Sequence, residues 1–122
     1  MSRAVVAGLC LLALTAAWRP GVFSQPPPGL WEISRSDGGR RNVCIGDPLV
    51  LAQYEHLKGR CTREVIRDQS RLAEISYTCP GGGFGQSRIE QITPRAFRVE
   101  TQGISGGAPF HYVLQARRIG SC

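Results

Sequence analysis

The chain has 122 residues, of which 42% are hydrophobic and 20% charged, and a formal net charge of +6 at pH 7. That length suffices for one hydrophobic core and no more. The basic residues are scattered, with Arg40-Arg41 and Arg117-Arg118 as the only local concentrations; without a basic stripe, stacking aromatics or a known motif, this excludes a nucleic-acid reader.

The N-terminus reads as an export leader. Met1-Ser2-Arg3 is a short basic start, followed by an apolar run from Ala4 to Trp18 that Arg19 closes. A positive n-region before a short apolar h-region is the pattern of a secretory signal. The run of about 15 residues falls short of the roughly 20 that span a bilayer. Small residues at the −3 and −1 positions offer two cleavage points. Thr15 and Ala17 would release a chain from Trp18; Val22 and Ser24 would release one from Gln25. The second is preferred. It gives a leader over 1–24 and a single domain over 25–122, with no membrane span after cleavage. Cys10 leaves with the leader, because Leu9 is bulky where a lipoprotein would need a small residue.

Pro26-Pro27-Pro28 is a stiff spacer. Gly29 to Arg35 is strand-like, Asp37-Gly38-Gly39 marks a turn, and Arg40 to Ile45 returns as a second strand. Asp47-Pro48 then opens the one helix, with Asp as N-cap and Pro at the first helical position. Val50, Tyr54 and Leu57 recur at helical spacing, and Gly59 is placed to close the helix in a left-handed cap.

Two strands flanking Asp68-Gln69-Ser70 follow. Folded as a hairpin with Cys61 opposite Cys79, they set Val65 opposite Ile75 and Arg63 opposite Tyr77. Side chains alternate across a strand, so Cys61, Val65, Ala73, Ile75, Tyr77 and Cys79 share one face. Thr62, Glu64, Glu74, Ser76 and Thr78 share the other. That register predicts Cys61–Cys79 and leaves Cys44–Cys122. An even set of four cysteines in a short exported chain reads as a disulfide framework.

Pro80 to Gly83 is a loop. Gln86 to Ile92 is a weaker strand, and Thr93-Pro94-Arg95 a turn. Phe97, Val99 and Thr101 alternate with Arg98 and Glu100 as a half-buried strand. Gly103 to Pro109 is a further loop, and Phe110, Tyr112, Leu114 and Ala116 mark the last strand. The expected class is mainly β: an antiparallel meander of about seven strands with one short helix and two disulfides, curling into a half-barrel or a small closed barrel.

Several landmarks occur together. Pro28-Gly29-Leu30-Trp31-Glu32-Ile33 begins the domain, Cys44 precedes the helix and Cys61 follows it. Tyr77-x-Cys79 precedes Gly81-Gly82-Gly83, and Arg118-Ile119-Gly120-x-Cys122 closes the chain. This ordered set resembles the small exported proteins of Gram-negative bacteria grouped as a domain of unknown function, DUF 3617 type. The resemblance covers nearly all of residues 25–122. It implies an all-β domain with a periplasmic or envelope location, and brings no activity or site residue. The chain departs from that pattern in lacking a long Met/Pro-rich insertion after the first strand; its Ser34–Asn42 segment is short and Arg-rich.

Catalytic groups do not assemble in the sequence. The histidines are His56, expected to face outward from the helix, and His111, on the strand face opposite Phe110 and Tyr112. There is no nucleophile elbow, no metal-ligand spacing and no phosphate loop at Gly81-Gly82-Gly83-Phe84-Gly85. Glu64 and Glu74 come close only on a polar face. No enzyme, metal or cofactor is expected. Instead Trp31, Tyr77, Phe97 and Tyr112 would line an apolar pocket if the sheet closes around a cavity. The expected function is a non-enzymatic periplasmic or secreted module that binds a small apolar molecule or an envelope component on the concave side. The alternative is a protein–protein or inhibitor module acting through Gly-rich and Arg-containing loops, with Phe84, Arg40 and Arg41 as contacts. A hydrolase stands third.

Overall fold

The computed structural model describes residues 21–23 and 28–122. The leader up to residue 20, with Cys10 and the Thr15/Ala17 cleavage point, lies outside the described residues, as do Ser24 and most of the proline spacer.

Seven strands form one antiparallel sheet: β1 (Gly29–Arg35), β2 (Arg40–Ile45), β3 (Thr62–Asp68), β4 (Leu72–Thr78), β5 (Phe84–Thr93), β6 (Ala96–Ser105) and β7 (Ala108–Gly120). Their order across the sheet is β2-β1-β7-β6-β5-β4-β3. From β3 to β7 the chain is a plain meander. β7 then pairs with β1, which carries β2 to the far edge. The sheet does not close: β2 and β3 are edges, so the closed barrel is excluded and the curved open sheet stands.

A nine-residue 3-10 helix, Pro48–His56, runs from the β2 edge to the β3 edge and lies over β4, β5 and β6. The Asp47 side chain accepts from the Leu49 amide at 3.0 Å, as its N-cap position anticipates. The rest of the helix differs from the expected regular spacing. Gln53 breaks it at φ −122°, ψ 38°, and the four consecutive residues Leu51–Tyr54 are buried while Val50 and Leu57 are half-buried. The tighter winding of a 3-10 helix, with about three residues per turn, does not align positions 50, 54 and 57. Nor does Gly59 adopt a left-handed cap; its amide donates to the His56 carbonyl at 2.9 Å.

The predicted β3–β4 face is present. Ala73, Ile75, Tyr77 and Cys79 are buried, and Val65 packs against them. Arg63 faces Tyr77 and Val65 faces Ile75, but a bulge after Val65 expels Ile66 and shifts Arg67 opposite Glu74. Bulges at a sheet edge end regular pairing there. The expected loop at 103–109 is instead a two-residue hairpin turn. Gly106 and Gly107 both take positive φ (59° and 79°), and Gly103–Ser105 and Ala108–Pro109 continue the ladder. Paired positive-φ residues match the right-handed twist of the flanking strands.

A single cluster forms the core. Trp31, Ile33, Leu51, Ile75, Ile89, Phe97, Val99 and Leu114 are almost wholly excluded from water. Val22, from the short 3-10 turn Gly21–Phe23, joins them.

Both predicted disulfides are made, and each staples an edge. Cys61–Cys79 ties the start of β3 to the end of β4, while Cys44–Cys122 ties β2 to the residues beyond β7, across β1. The Cys44–Cys122 and Cys61–Cys79 loops span sequence separations of 78 and 18 residues. Chain entropy alone makes the larger closure worth about 4.5 kcal/mol and the smaller about 3 kcal/mol. The Cys44→Ala/Cys122→Ala pair is therefore expected to lower the urea midpoint more than Cys61→Ala/Cys79→Ala. Equilibrium urea unfolding of the two double variants checks the order.

Candidate functional site

The four aromatics expected around a cavity fill the core instead. Trp31, Tyr77, Phe97 and Tyr112 are at most 3% exposed. Trp31 packs on Phe97 with ring centroids 5.9 Å apart, and its indole N–H has no acceptor among the described residues. None of the four lines the surface hollows beside β1, β2, the helix or the outward rows. An open sheet has one face to bury, and these side chains are what it buries.

Between helix and sheet runs a polar seam. Ser87 Oγ donates to the Ala52 carbonyl at 2.6 Å and stands 2.8 Å from Thr101 Oγ1. The buried Gln53 amide donates to the carbonyls of His56 and Gly59 and accepts from Arg63 at 2.8 Å, so the broken helix end is satisfied. His56 is turned inward rather than outward. Its Nδ1 shares a 3.0 Å hydrogen bond with the Tyr77 hydroxyl, and its ring sits edge-on to Tyr77 and Phe110. Space for these rings comes from glycines: a Cβ on Gly83 would strike the imidazole, and one on Gly85 would lie 2.7 Å from the Tyr77 ring.

Beside it, the Tyr112 hydroxyl donates to Glu55 at 2.8 Å, and the Arg35 guanidinium covers the Tyr112 ring at 3.8 Å. Arg35 also grips Asp37 at 2.6 and 2.9 Å and lies 3.8 Å from Glu55. Its hydrogen bond holds the Asp37 carboxyl below its ordinary range. Burial, together with the Glu55 charge, pushes the Tyr77 phenol up to about 12, against a weaker opposing bond from Thr101. Burial, then the bond to Glu55, pushes Tyr112 in the same direction. A hollow of about 560 Å³ beside this seam is lined by Arg35, Arg41, Tyr54, Glu55, His56 and Lys58. Arg35 is already held by two carboxylates and a ring.

Arg40 and Arg41 do not lie in a loop. They begin β2, opposite Ser34 and Ile33. Alternation sends Arg41 to the helix side and Arg40 to the outward side.

The outward face is ordered in cross-strand rows. One row is Glu74–Arg88–Glu100, joined by an Arg88–Glu74 contact of 3.8 Å and flanked by Arg67–Glu74 and Arg98–Glu100 pairs. The next is Ser76–Gln86–Gln102–His111, and the last is Thr78–Phe84–Ile104–Pro109. Between these two rows lies an open groove of about 530 Å³. Its apolar wall is Phe84, 49% exposed, with Ile104 and Pro109. Its polar wall is Gln86 and Gln102, whose amides make no hydrogen bond among the described residues, with His111 held 3.3 Å from Glu100. The floor is the directly paired Gly85 and Gly103, which approach so closely that a Cβ on Gly103 would collide with the backbone of Phe84 and Gly85.

Of the groove residues, only Phe84 was legible in the sequence as a contact. The alternation of β5 and β6 turns Gln86, Gln102 and Ile104 outward, but their adjacency is a property of the pairing. Phe84 belongs to β5, which starts two residues earlier than the expected Gln86.

No family model, curated protein or solved structure matches the chain.

Tyr77 sets an alkaline limit. Its phenol titrates near 10 in the unfolded chain and near 12 in the fold. Between these values the unfolded chain has lost a proton that the folded chain keeps, so stability falls as pH rises through this window. Tyr112 adds to the loss. The Tyr77→Phe variant is expected to lose less stability over the same interval than the wild type, as read by urea midpoints measured at rising pH.

Proposed function

We propose that this chain is an exported, non-enzymatic binding module of the periplasm or secreted space, of the DUF 3617 type, whose ligand is an envelope glycan recognised through its hydroxyl and N-acyl groups rather than through charge. The observation that carries this is the groove on the outward face, with the exposed Phe84 ring and Ile104 on one side and the free amides of Gln86 and Gln102 on the other. Apolar lining with a few convergent polar groups is the usual make-up of a ligand site. A ring face suits the C–H face of a sugar. A primary amide both donates and accepts, which suits hydroxyl and N-acyl groups. The charged rows nearby are internally paired, so the groove itself offers little to an ion. Two disulfides fit a compartment where they form and persist.

The location differs from the concave side anticipated above. There the space is taken by Trp31, Tyr77, Phe97, Tyr112 and the helix, so a ligand meets the module on the outward face.

Co-sedimentation with isolated peptidoglycan sacculi tests the reading. The wild type is expected to sediment, and Phe84→Ala and Gln86→Ala/Gln102→Ala to weaken binding about tenfold or more, as loss of an interface anchor does. Binding is expected to persist at high salt, where exposed charge attraction is screened. A wild type that stays in the supernatant, or a Phe84→Ala variant that binds equally, overturns it.

A further inference from the structure

We infer that the leader is cut after Ala17, so that Gly21–Phe23 remains on the mature protein as part of its core. This rests on the export reading, which is needed for any cut to occur.

Both candidate bonds meet the small-residue requirement at −3 and −1, so that requirement does not separate them. The fold does, and it opposes the later bond, the one preferred from the sequence. Gly21–Phe23 forms a turn of 3-10 helix seated on β4 and β5. Val22 is 0% exposed and belongs to the same cluster as Ala73, Ile75 and Ile89. The Gly21 amide donates to Asp68 Oδ1 at 2.8 Å, and Gly21 lies against the Gln69–Ser70 turn between β3 and β4. An apolar side chain wholly inside the core, fixed by a hydrogen bond to a turn 47 residues away, is an element of the domain.

A cut before Gln25 would remove that element. It would open an apolar socket on the concave face and leave the Asp68 carboxylate without the Gly21 amide. A cut after Ala17 keeps Val22 in place. The residue that serves as −3 for the later bond is thus the one the core encloses.

The test uses the full-length chain, exported, as wild type and as Val22→Ala. Alanine satisfies the −3 position as well as valine, so processing can proceed at either bond in both. Each product is measured by denatured intact mass and by its urea midpoint. The expected result is a wild-type mass starting at Trp18, a variant mass lighter by the Val-to-Ala difference, and a variant midpoint lower by about 1 M. Two products of identical mass and midpoint, both starting at Gln25, overturn the inference and leave the export reading standing. A Trp18 start with equal midpoints overturns the core role of Val22. Masses starting at Met1 overturn the export reading, and this inference with it. Should the variant fail to accumulate, the wild-type mass alone decides between the bonds.

Discussion

An open sheet with one apolar face must be covered by whatever chain is left over, and among the described residues little is left. Seven strands about 4.8 Å apart make a sheet about 29 Å across. The Pro48–His56 helix, at about 2 Å per residue, is about 18 Å long. It covers β4 to β6 and leaves the remainder to large side chains and to Val22. This shortfall accounts for the contents of the core. Trp31 and Phe97 fill volume that a second helix would fill elsewhere, and the aromatic residues are used up in doing so. It also accounts for the seam, because a single short helix with a break at Gln53 needs specific bonds to stay seated. Ser87 and Gln53 supply them, Ser87 on the Ala52 carbonyl and Gln53 on the carbonyls of His56 and Gly59.

The edges follow from the same openness. Unpaired strands invite association, and both are restrained. On one side β2 is tied by Cys44–Cys122; on the other β3 is tied by Cys61–Cys79 and disturbed by the bulge that expels Ile66. Paired charges cover much of the outward face. Against that background the groove beside Phe84 is an exception, with exposed apolar surface beside the side-chain amides of Gln86 and Gln102. The helix side of the sheet is filled by the core.

The candidate site was only partly legible. His56, two residues after Tyr54 in the sequence, gave no sign that a break at Gln53 would turn it onto Tyr77. Gly83 and Gly103 read as loop residues and Gly85 as part of a glycine run, whereas in the fold they are clearance for an imidazole, a neighbouring backbone and a phenol ring. Arg40-Arg41 read as a patch, yet on a strand adjacent residues point to opposite faces. The rows of the groove join residues 76, 86, 102 and 111, and such distances along the chain carry no local signal.

What the sequence by itself determined were the features with a short-range cause. Alternating apolar residues over 72–78 and 97–101 set the buried face of β4 and β6. The same alternation opposed Cys61 to Cys79 and, by subtraction, Cys44 to Cys122. Asp47-Pro48 set the start of the helix. Only the tertiary structure decided that the sheet stays open, that β7 pairs with β1, that the aromatics pack inward rather than line a cavity, and that Val22 completes the core. Each of these depends on how much surface distant segments can cover between them. Local propensity does not encode that quantity, because it exists only once the strands are side by side.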